Sequence, residues 1–534
     1  MALTSTPVSA QSAAPAGPPR DQPRIQTGTG VIRGRILGPD AMPLRRVQVR
    51  LTPMTVEAMA PRMSVTGDDG RYEFTQLPAG RYGLSASKGG YVNMEYGQRR
   101  PFEKGRPIDL SSSQVMDRVD LMLPQGAVVT GRITDESGEP VSSASVQLSR
   151  YRYVNGRRQL MAIFGDSTDD RGEFRIFGVP PADYFLSADE SGDVGRSSDP
   201  VRSVRTFFPG TAAVADAQRI SVKLGEELSG LTIGLIRQRV ASISGVVRSS
   251  TATPAGLTMV LARRADGGDD WRTGLAGADG AFAITGVLPG SYMVEARSPF
   301  GTDRASAQVT VDTADVAGVV LTISSGAAAR GRIRFEGGSP PRDLSPSGVL
   351  LFAVSATGGE GVNSPQPAVR SDWTFELSGL HGPLVLAGGG MNNWGIKTIS
   401  VGGSDLTESP IDFSKGDVED IEVLLTNRYS EVAGRITESR GAVAGDASVV
   451  IFPADPDKWT PLTSRIASAR PDQQGRFSVK GLQAGRYLAI ALDYLEEGEE
   501  HDPDLLKEWA RVATTFTLGD GESRTIDLKV TQAN

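Results

Sequence analysis

Apolar and polar residues alternate with a period of two along most of this chain, and the alternation comes in blocks that repeat. One block reads Asp69-Gly70-Arg71-Tyr72-Glu73-Phe74-Thr75-Gln76-Leu77-Pro78-Ala79-Gly80-Arg81-Tyr82-Gly83-Leu84-Ser85-Ala86. It returns around Phe174, Ile176, Val179, Tyr184 and Leu186, and again from Asp279-Gly280 to Ala296. A fifth-repeat copy runs from Gln474-Gly475 to Ala491, and a weaker fourth-repeat copy from Asp372-Trp373 to Leu380. Phe74, Leu77, Gly80 and Tyr82 keep the same spacing as Ile284, Val287, Gly290 and Tyr292, and as Val479, Leu482, Gly485 and Tyr487. Period-two alternation predicts strands with one buried face. Asp-Gly and Leu-Pro-x-Gly predict the turns between them, with glycine taking backbone angles that other residues resist.

Each unit opens on a second landmark. It reads Ile32-Arg33-Gly34-Arg35-Ile36, Val129-Thr130-Gly131-Arg132-Ile133, Ile243-Ser244-Gly245-Val246-Val247, Ala329-Arg330-Gly331-Arg332-Ile333 and Val432-Ala433-Gly434-Arg435-Ile436. A glycine on the core face of a strand predicts close approach by a neighbouring strand or ring, or a bulge. The five glycines stand 97, 114, 86 and 103 residues apart. With a second strand such as Val47–Leu51 and a closing run such as Val319–Ile323, each unit holds about seven short strands, the pattern of a sandwich. One short helix is predicted at Pro503–Ala510, capped by Asp502, behind the acidic cluster Glu496, Glu497, Glu499 and Glu500. Short joints such as Leu123–Gly126 predict a monomeric, semi-rigid rod with each unit adding roughly 30–40 Å.

The combination Gly-Arg-Ile, Asp-Gly-x-Phe and Leu-Pro-x-Gly-x-Tyr resembles the carboxypeptidase regulatory-like domain family. The resemblance implies an all-β protein of five tandem seven-stranded antiparallel β-sandwich modules, transthyretin-like (prealbumin-like) and related to starch-binding-like folds. The boundaries expected are an N-terminal disordered segment at 1–28, then sandwiches at 29–125, 126–239, 240–326, 327–428 and 429–534. The fourth is divergent because it lacks the glycine and tyrosine of the second turn. Its tail from Trp394 to Phe413 is similar to segments of large exported bacterial members of the family. The family's modules mostly accompany other activities, and the resemblance implies a periplasmic, outer-membrane-associated or extracellular setting.

Composition narrows the chemistry. The 534 residues carry 56 basic and 63 acidic side chains, a net charge of −7 with both signs interspersed. That argues against nucleic acid as a partner, which needs a concentrated basic face. No cysteine is present, which excludes disulfides, thiolate metal sites and cysteine nucleophiles. No apolar run approaches the ~18 residues of a transmembrane helix. Val8-Ser9-Ala10 followed by Gln11 resembles the end of a secretory signal with cleavage after Ala10, a signal-peptide remnant that lacks a basic and an apolar part. Export is therefore expected.

Catalytic signals are sparse. Only His381 and His501 occur, too few for an ordinary triad or histidine metal site. Ser85-Ala86-Ser87-Lys88 matches Ser-x-x-Lys but lies on a repeat strand without companion motifs. The pairs Asp68/Asp69, Asp169/Asp170 and Asp269/Asp270 sit at the repeat turn and read as turn-formers rather than as a glycosidase pair. Calcium at Asp266, Asp269 and Asp270, or at Asp455 and Asp457, lacks a recognised loop spacing. The first strands carry Arg35, Arg132, Arg332 and Arg435 where a Lys–Asn isopeptide cross-link, as in some sandwich adhesins, would need lysine. No catalytic residue, metal ligand or cofactor is assigned.

The binding signal is aromatic. Tyr151, Tyr153, Trp271 and Trp459 fall in the loop before the Asp-Gly turn of the second, third and fifth units, where exposed rings stack on sugars. Trp373 and Trp394 are weaker candidates. The function expected is a non-catalytic exported scaffold or binding protein whose partner is an envelope protein or a polysaccharide. The rivals are a carbohydrate-binding protein using those aromatics, and a hydrolase with its site in the fourth module.

Overall fold

The computed structural model describes residues 28–54, 60–154, 156–190, 201–250, 258–265, 271–298, 303–342, 344–355, 369–389, 391, 394–460, 463–472 and 474–531. The signal-like N-terminus lies outside them. The chain divides into two compact units, each described by itself. One is drawn from Met1–Lys88, Asn93–Gly97 and Gly105–Leu123, the other from Gly89–Val92, Gln98–Lys104 and Pro124–Asn534.

The fold is built almost wholly of strands, and the sheets of every sequence repeat follow one plan. The glycine-bearing first strand is central in one sheet. In the smaller unit it is Gly30–Leu37, flanked by Arg71–Leu77 antiparallel and by Val115–Met116 and Leu121–Met122 parallel. In the larger unit Ala127–Thr134 lies between Glu173–Val179 and Glu227–Gly234, and Ala241–Ser249 between Ala281–Val287 and Val316–Ile323. Ala327–Phe335 and Ser430–Thr437 repeat the arrangement. The second sheet of each repeat is antiparallel, as in the order Trp271–Leu275, Met259–Arg264, Gly290–Arg297 and Arg304–Val311.

One pairing departs from the antiparallel sandwich that the sequence suggests. The closing strand of each repeat runs parallel to the first strand, because the chain returns to the first sheet only after crossing the second. In the fifth repeat the closing strand Leu528–Thr531 pairs with both Ser430–Thr437 and Gly485–Leu492, which joins the two layers into one continuous sheet.

The landmark glycines sit at that parallel contact. Gly34, Gly131, Gly245, Gly331 and Gly434 face Tyr72, Phe174, Phe282, Phe375 and Phe477 across the antiparallel ladder. A Cβ on any of them would overlap a carbonyl oxygen of the closing segment, that of Leu231, Val319 or Ile421 on the closing strand itself and that of Val119 or Ile526 just before its last stretch. In the second, third and fourth repeats the parallel register slips next to the glycine. Sequence reasoning offered a strand, a ring or a bulge as the cause. The closing strand is the common one, and the bulge brings its carbonyl inward.

The turn glycines behave as the block implies. Gly70, Gly172, Gly280 and Gly475 take φ between 70° and 78°, and each carbonyl accepts the backbone N–H of Ile36, Ile133, Val247 or Ile436. The preceding aspartates Asp69, Asp169 and Asp279 accept the N–H two residues on. Beyond the next turn, Tyr82, Tyr184 and Tyr487 are buried and donate their hydroxyls to the carbonyls of Pro78, Pro180 and Gln483 at 2.7, 2.9 and 2.9 Å.

The cores lie between the paired sheets. One cluster gathers Val129, Ile133, Val146, Phe174 and Tyr184, and another Ile243, Val260, Phe282, Ile284 and Tyr292. The fourth repeat packs around Ile333, Phe375, Leu377 and Ile421, and the fifth around Val432, Ile451, Phe477 and Tyr487. The fifth repeat has a second cluster on the outer face of its second sheet. There the helix Pro503–Trp509 covers Val450, Phe452, Leu488 and Ile490 with Leu506 and Trp509. Asp502 caps this helix by accepting from Asp504 N and Leu505 N, as its sequence implies.

The glycine constraint is open to test. Gly331→Ala should cost about 3 kcal/mol, the scale of an overpacked site, and Gly389→Ala in the same repeat, with no atom near its Cβ position, under about 0.5 kcal/mol. Urea unfolding of the two variants, followed by far-UV circular dichroism, checks this.

Candidate functional site: the junction at the acidic turn

The second repeat carries an unusually long hairpin, Ala144–Val154 with Arg157–Ser167, eleven residues on each side. Its inner half belongs to the sandwich core, where Val146 and Leu148 are fully buried. Its outer half, from Arg150 onward, runs past the core and meets the fifth repeat at the turn between Asp493 and Asp502. The linear rod expected from the sequence therefore fails within the larger unit. There the second and fifth repeats touch, although two others separate them along the chain.

Charged side chains make most of this contact. Arg150 pairs with Glu496 at 2.8 Å, with 14% and 16% of the side chains exposed. Tyr494 donates to Glu496 at 3.0 Å and to the Pro101 carbonyl at 3.1 Å. Arg152 pairs with Glu497, and Gly498 packs against the Tyr153 carbonyl. Segment Gln98–Lys104 lies in the same compact unit and enters the junction. Phe102 sits under the Arg150 guanidinium, 4.2 Å from it, and packs on the second repeat's core. Glu103 accepts the N–H groups of Arg99 and Arg100 and pairs with Arg470 at 3.3 Å. That pair is the most buried ion pair among the described residues, at 5% and 4% exposure.

Burial sets the electrostatics here. It pushes the Tyr494 hydroxyl up, with the Glu496 carboxylate adding to the effect. Burial and a hydrogen bond to Asp502 push Tyr153 up to about 12. Glu499 accepts the N–H of Glu496, yet burial raises its carboxyl above the usual range. Burial lowers His501, against the pull of Glu500. The arrangement locks two repeats together.

A second junction holds the fifth repeat to the fourth. Glu408 accepts from Thr463, from the Ser464 N–H and hydroxyl, and from Arg465 at 3.1 Å. Lys397 bridges Glu336 at 2.6 Å and Asp520. Asp520 and Glu336 both raise the Lys397 ammonium, so the amine is held protonated, as an ion pair and not as a nucleophile.

The aromatic candidates separate into two kinds. Trp271 opens its strand with about half its surface exposed. The other three are engaged. Tyr151 meets Phe185 edge-on beneath Arg158, and Tyr153 lies in the junction. Trp459 donates its indole N–H to the Pro453 carbonyl and packs edge-on against Phe452. Trp373 and Trp394 both pack on Phe335 in the fourth repeat's core, which accounts for them structurally.

The other candidates resolve in the same way. Lys88 donates to the Arg45 carbonyl. Asp455 accepts from Asp457 N in a short turn. Asp266, Asp269 and Asp270 lie outside the described residues. Among the described residues no group of three or more His, Asp or Glu side chains is placed to hold a metal. The fourth repeat has a shallow groove of about 530 Å3 over Arg330, Arg332 and Arg334. Its lining carboxylates are Glu419, Asp420 and Glu422; Glu419 pairs with Arg330 and Glu422 with Arg334, and Arg330 also pairs with Glu376 and Asp417.

Sequence reasoning singled out the acidic cluster and two of the arm's tyrosines, but not Arg150, Glu103 or Arg470. The legible signal was the length of the second unit, 114 residues between landmark glycines against 86 in the third.

Comparison with known proteins places two repeats in sandwich families. Residues 31–120 match the carboxypeptidase regulatory-like domain. Residues 241–323 match the second beta sandwich domain of the BOS complex subunit NOMO1-like family. The second match begins and ends with the first and closing strands of its repeat. No curated protein matches the chain. Similar solved structures include the Bacillus anthracis TIE protein, at 10% identity over 75% of this chain and 73% of that one, with a TM-score of 0.16. The minor pilin GBS52 of Streptococcus agalactiae is 15% identical over 39% of this chain and 95% of its own, TM-score 0.21. Two B repeats of the Staphylococcus aureus collagen binding protein are 13% identical over 70% and 94%, TM-score 0.14.

Glu499 gives a pH prediction with a defined sign. Its raised carboxyl stabilises the fold below the unfolded pKa, and that contribution is lost as pH rises through the folded value. Glu499→Gln keeps the acceptor for Glu496 N–H without the buried charge. Its melting temperature should exceed that of the parent at pH 7, and the gain should shrink toward pH 4, as differential scanning calorimetry would record.

Proposed function

We propose that this chain is a non-catalytic, exported scaffold or binding protein of the cell envelope or extracellular space, built from five sandwich modules at 29–125, 126–239, 240–326, 327–428 and 429–534. The observation that carries the reading is where the polar side chains go. The carboxylates and arginines that a catalytic cleft would use are committed to repeat turns and to contacts between repeats. A molecule that spends its charges on fixing its own modules is suited to holding surfaces at set separations. Its partner is an envelope protein in this reading.

A second reading is carbohydrate binding, favoured by the exposure of Trp271 at the start of an edge strand whose far end carries Leu275, paired with Met259, both also exposed. An indole face in that position suits the apolar C–H face of a sugar. Retention on insoluble polysaccharide that Trp271→Ala abolishes would establish this reading, and equal retention of parent and variant would remove it.

The main reading is tested in two ways. Fractionation of cells producing the protein from its own gene should recover it outside the cytoplasm. Residues 240–326 produced alone should fold and melt cooperatively, because that repeat keeps both sheets and its whole core cluster within its own bounds. A cytoplasmic protein, or a module that stays unfolded, would contradict export or modularity respectively.

A further inference from the structure

We infer that the third repeat presents a self-complementary sheet edge: the strand Trp271–Leu275 pairs antiparallel with the same strand of a second copy of this chain, about a two-fold axis at Thr273.

The hydrogen-bond parity of the sheet supplies the first reason. Trp271–Leu275 lies at the end of its sheet, beside Met259–Arg264, and no strand among the described residues pairs with its other side. Ala276 N donates to the Thr258 carbonyl, so the backbone groups of Gly274 and Arg272 turn toward Val260 and Ala262. On the opposite side of Met259–Arg264, Ala265 N donates to the Ser291 carbonyl, the alternation that this assignment requires. The N–H and C=O groups of Trp271, Thr273 and Leu275 therefore point away from the sheet. All three residues are exposed, Trp271 by 53% and Leu275 by 68%.

Nothing in the strand discourages pairing. Natural edges are blunted by lysine, proline, inward-pointing charges or a covering element. Here the outward positions hold Trp271, Thr273 and Leu275. Arg272 is the one charged residue of the strand, and its guanidinium turns back to donate to the Gly286 and Trp271 carbonyls. The Trp271 carbonyl keeps a second lone pair for a partner strand.

The register identifies the occupant. Antiparallel pairing centred on Thr273 sets Thr273 against its own copy and Trp271 against Leu275 at both ends. Each outward donor then meets an outward acceptor, and each indole lies across from a leucine on the same face. Met259 stands beside Leu275 on that face, also exposed, and extends the apolar contact. A two-fold contact of this kind uses one patch twice, which is the commonest symmetry of protein dimers.

The chain's own cover for such a face is missing here. In the fifth repeat, residues 493–513 join Gly485–Leu492 to Thr514–Leu518 and lay the helix over the outer face. In the third, the equivalent strands Gly290–Arg297 and Arg304–Val311 are joined by residues 298–303 alone, too short for that helix. A five-residue strand with a few apolar side chains falls short of the roughly 1,200 Å2 that stable interfaces bury, so the dimer is weak and forms where copies are concentrated.

Sedimentation equilibrium of the full chain, alone in buffer, tests this. The weight-average mass should climb from that of the monomer at about 1 μM toward twice that value near 1 mM, the range of a weak interface. Thr273→Pro removes an outward N–H at an edge position where proline is tolerated, and Leu275→Lys sets a charge against the partner's indole. Each should weaken association about tenfold or more while the strand signal in circular dichroism persists. The chain has no cysteine, so disulfides can read the register. Thr273→Cys faces itself across the axis, within reach of a disulfide, whereas Gln308→Cys lies exposed on the opposite edge strand. Under mild oxidation the first should cross-link two chains about tenfold faster than the second. A mass that stays monomeric at every concentration would overturn the proposal. So would association that survives both Thr273→Pro and Leu275→Lys, or cross-linking as fast at 308 as at 273. No polysaccharide is present, so the outcome is independent of the carbohydrate reading.

Discussion

The closing strand of each repeat must lie parallel beside the first, and the rest of the sandwich depends on how closely it can approach. Its carbonyl reaches the position that a side chain would occupy on the first strand, so the residue there carries none. The space left over is filled from the other side of the ladder by an aromatic ring, Tyr72, Phe174, Phe282, Phe375 or Phe477. That ring caps the core between the sheets. Glycine, ring and carbonyl thus form one unit of packing, and no member can change size without disturbing the other two.

This explains which parts of the fold were legible. The glycine, the Asp-Gly turn and the tyrosine four residues past its carbonyl partner all answer local geometric demands, and local demands leave fixed spacings. Parallel pairing was not legible, because alternation is the same in parallel and antiparallel strands. The contact between the second and fifth repeats was hidden for a different reason. Arg150 and Glu496 are 346 residues apart, and nothing periodic connects them. Of the aromatic candidates, exposure separated Trp271 from the rest, and exposure depends on neighbours distant in sequence.

The fourth repeat shows how far the rules can bend. Trp373 stands where the other turns have glycine and adopts φ of 65°, a conformation that a large side chain resists. Its carbonyl still accepts from Ile333 N, so the turn's hydrogen bond is preserved. Its ring packs on Phe335, which also receives Trp394. Aromatic packing offsets the backbone cost. Leu384 pairs with Ile411 as Tyr82 does with Ile108, and fills the core without the hydroxyl. What looked like divergence is the same architecture held by different contacts.

The repeats differ most where they meet something else. In the fifth, the outer face of the second sheet is apolar and a helix covers it, so both faces of that sheet are buried. In the third, the corresponding face carries Met259, Met293, Trp271 and Leu275 in the open. The inner faces obey the glycine–ring constraint in every copy, while the outer faces and loops do not, since nothing in the core limits them. Selection for contact can therefore act on outer faces without touching the fold. The second repeat's hairpin is the clearest case, because its extra length carries Arg150 and Arg152 out to the fifth. Repetition secured a stable module, and the copies differ in what each adds outside the shared packing unit.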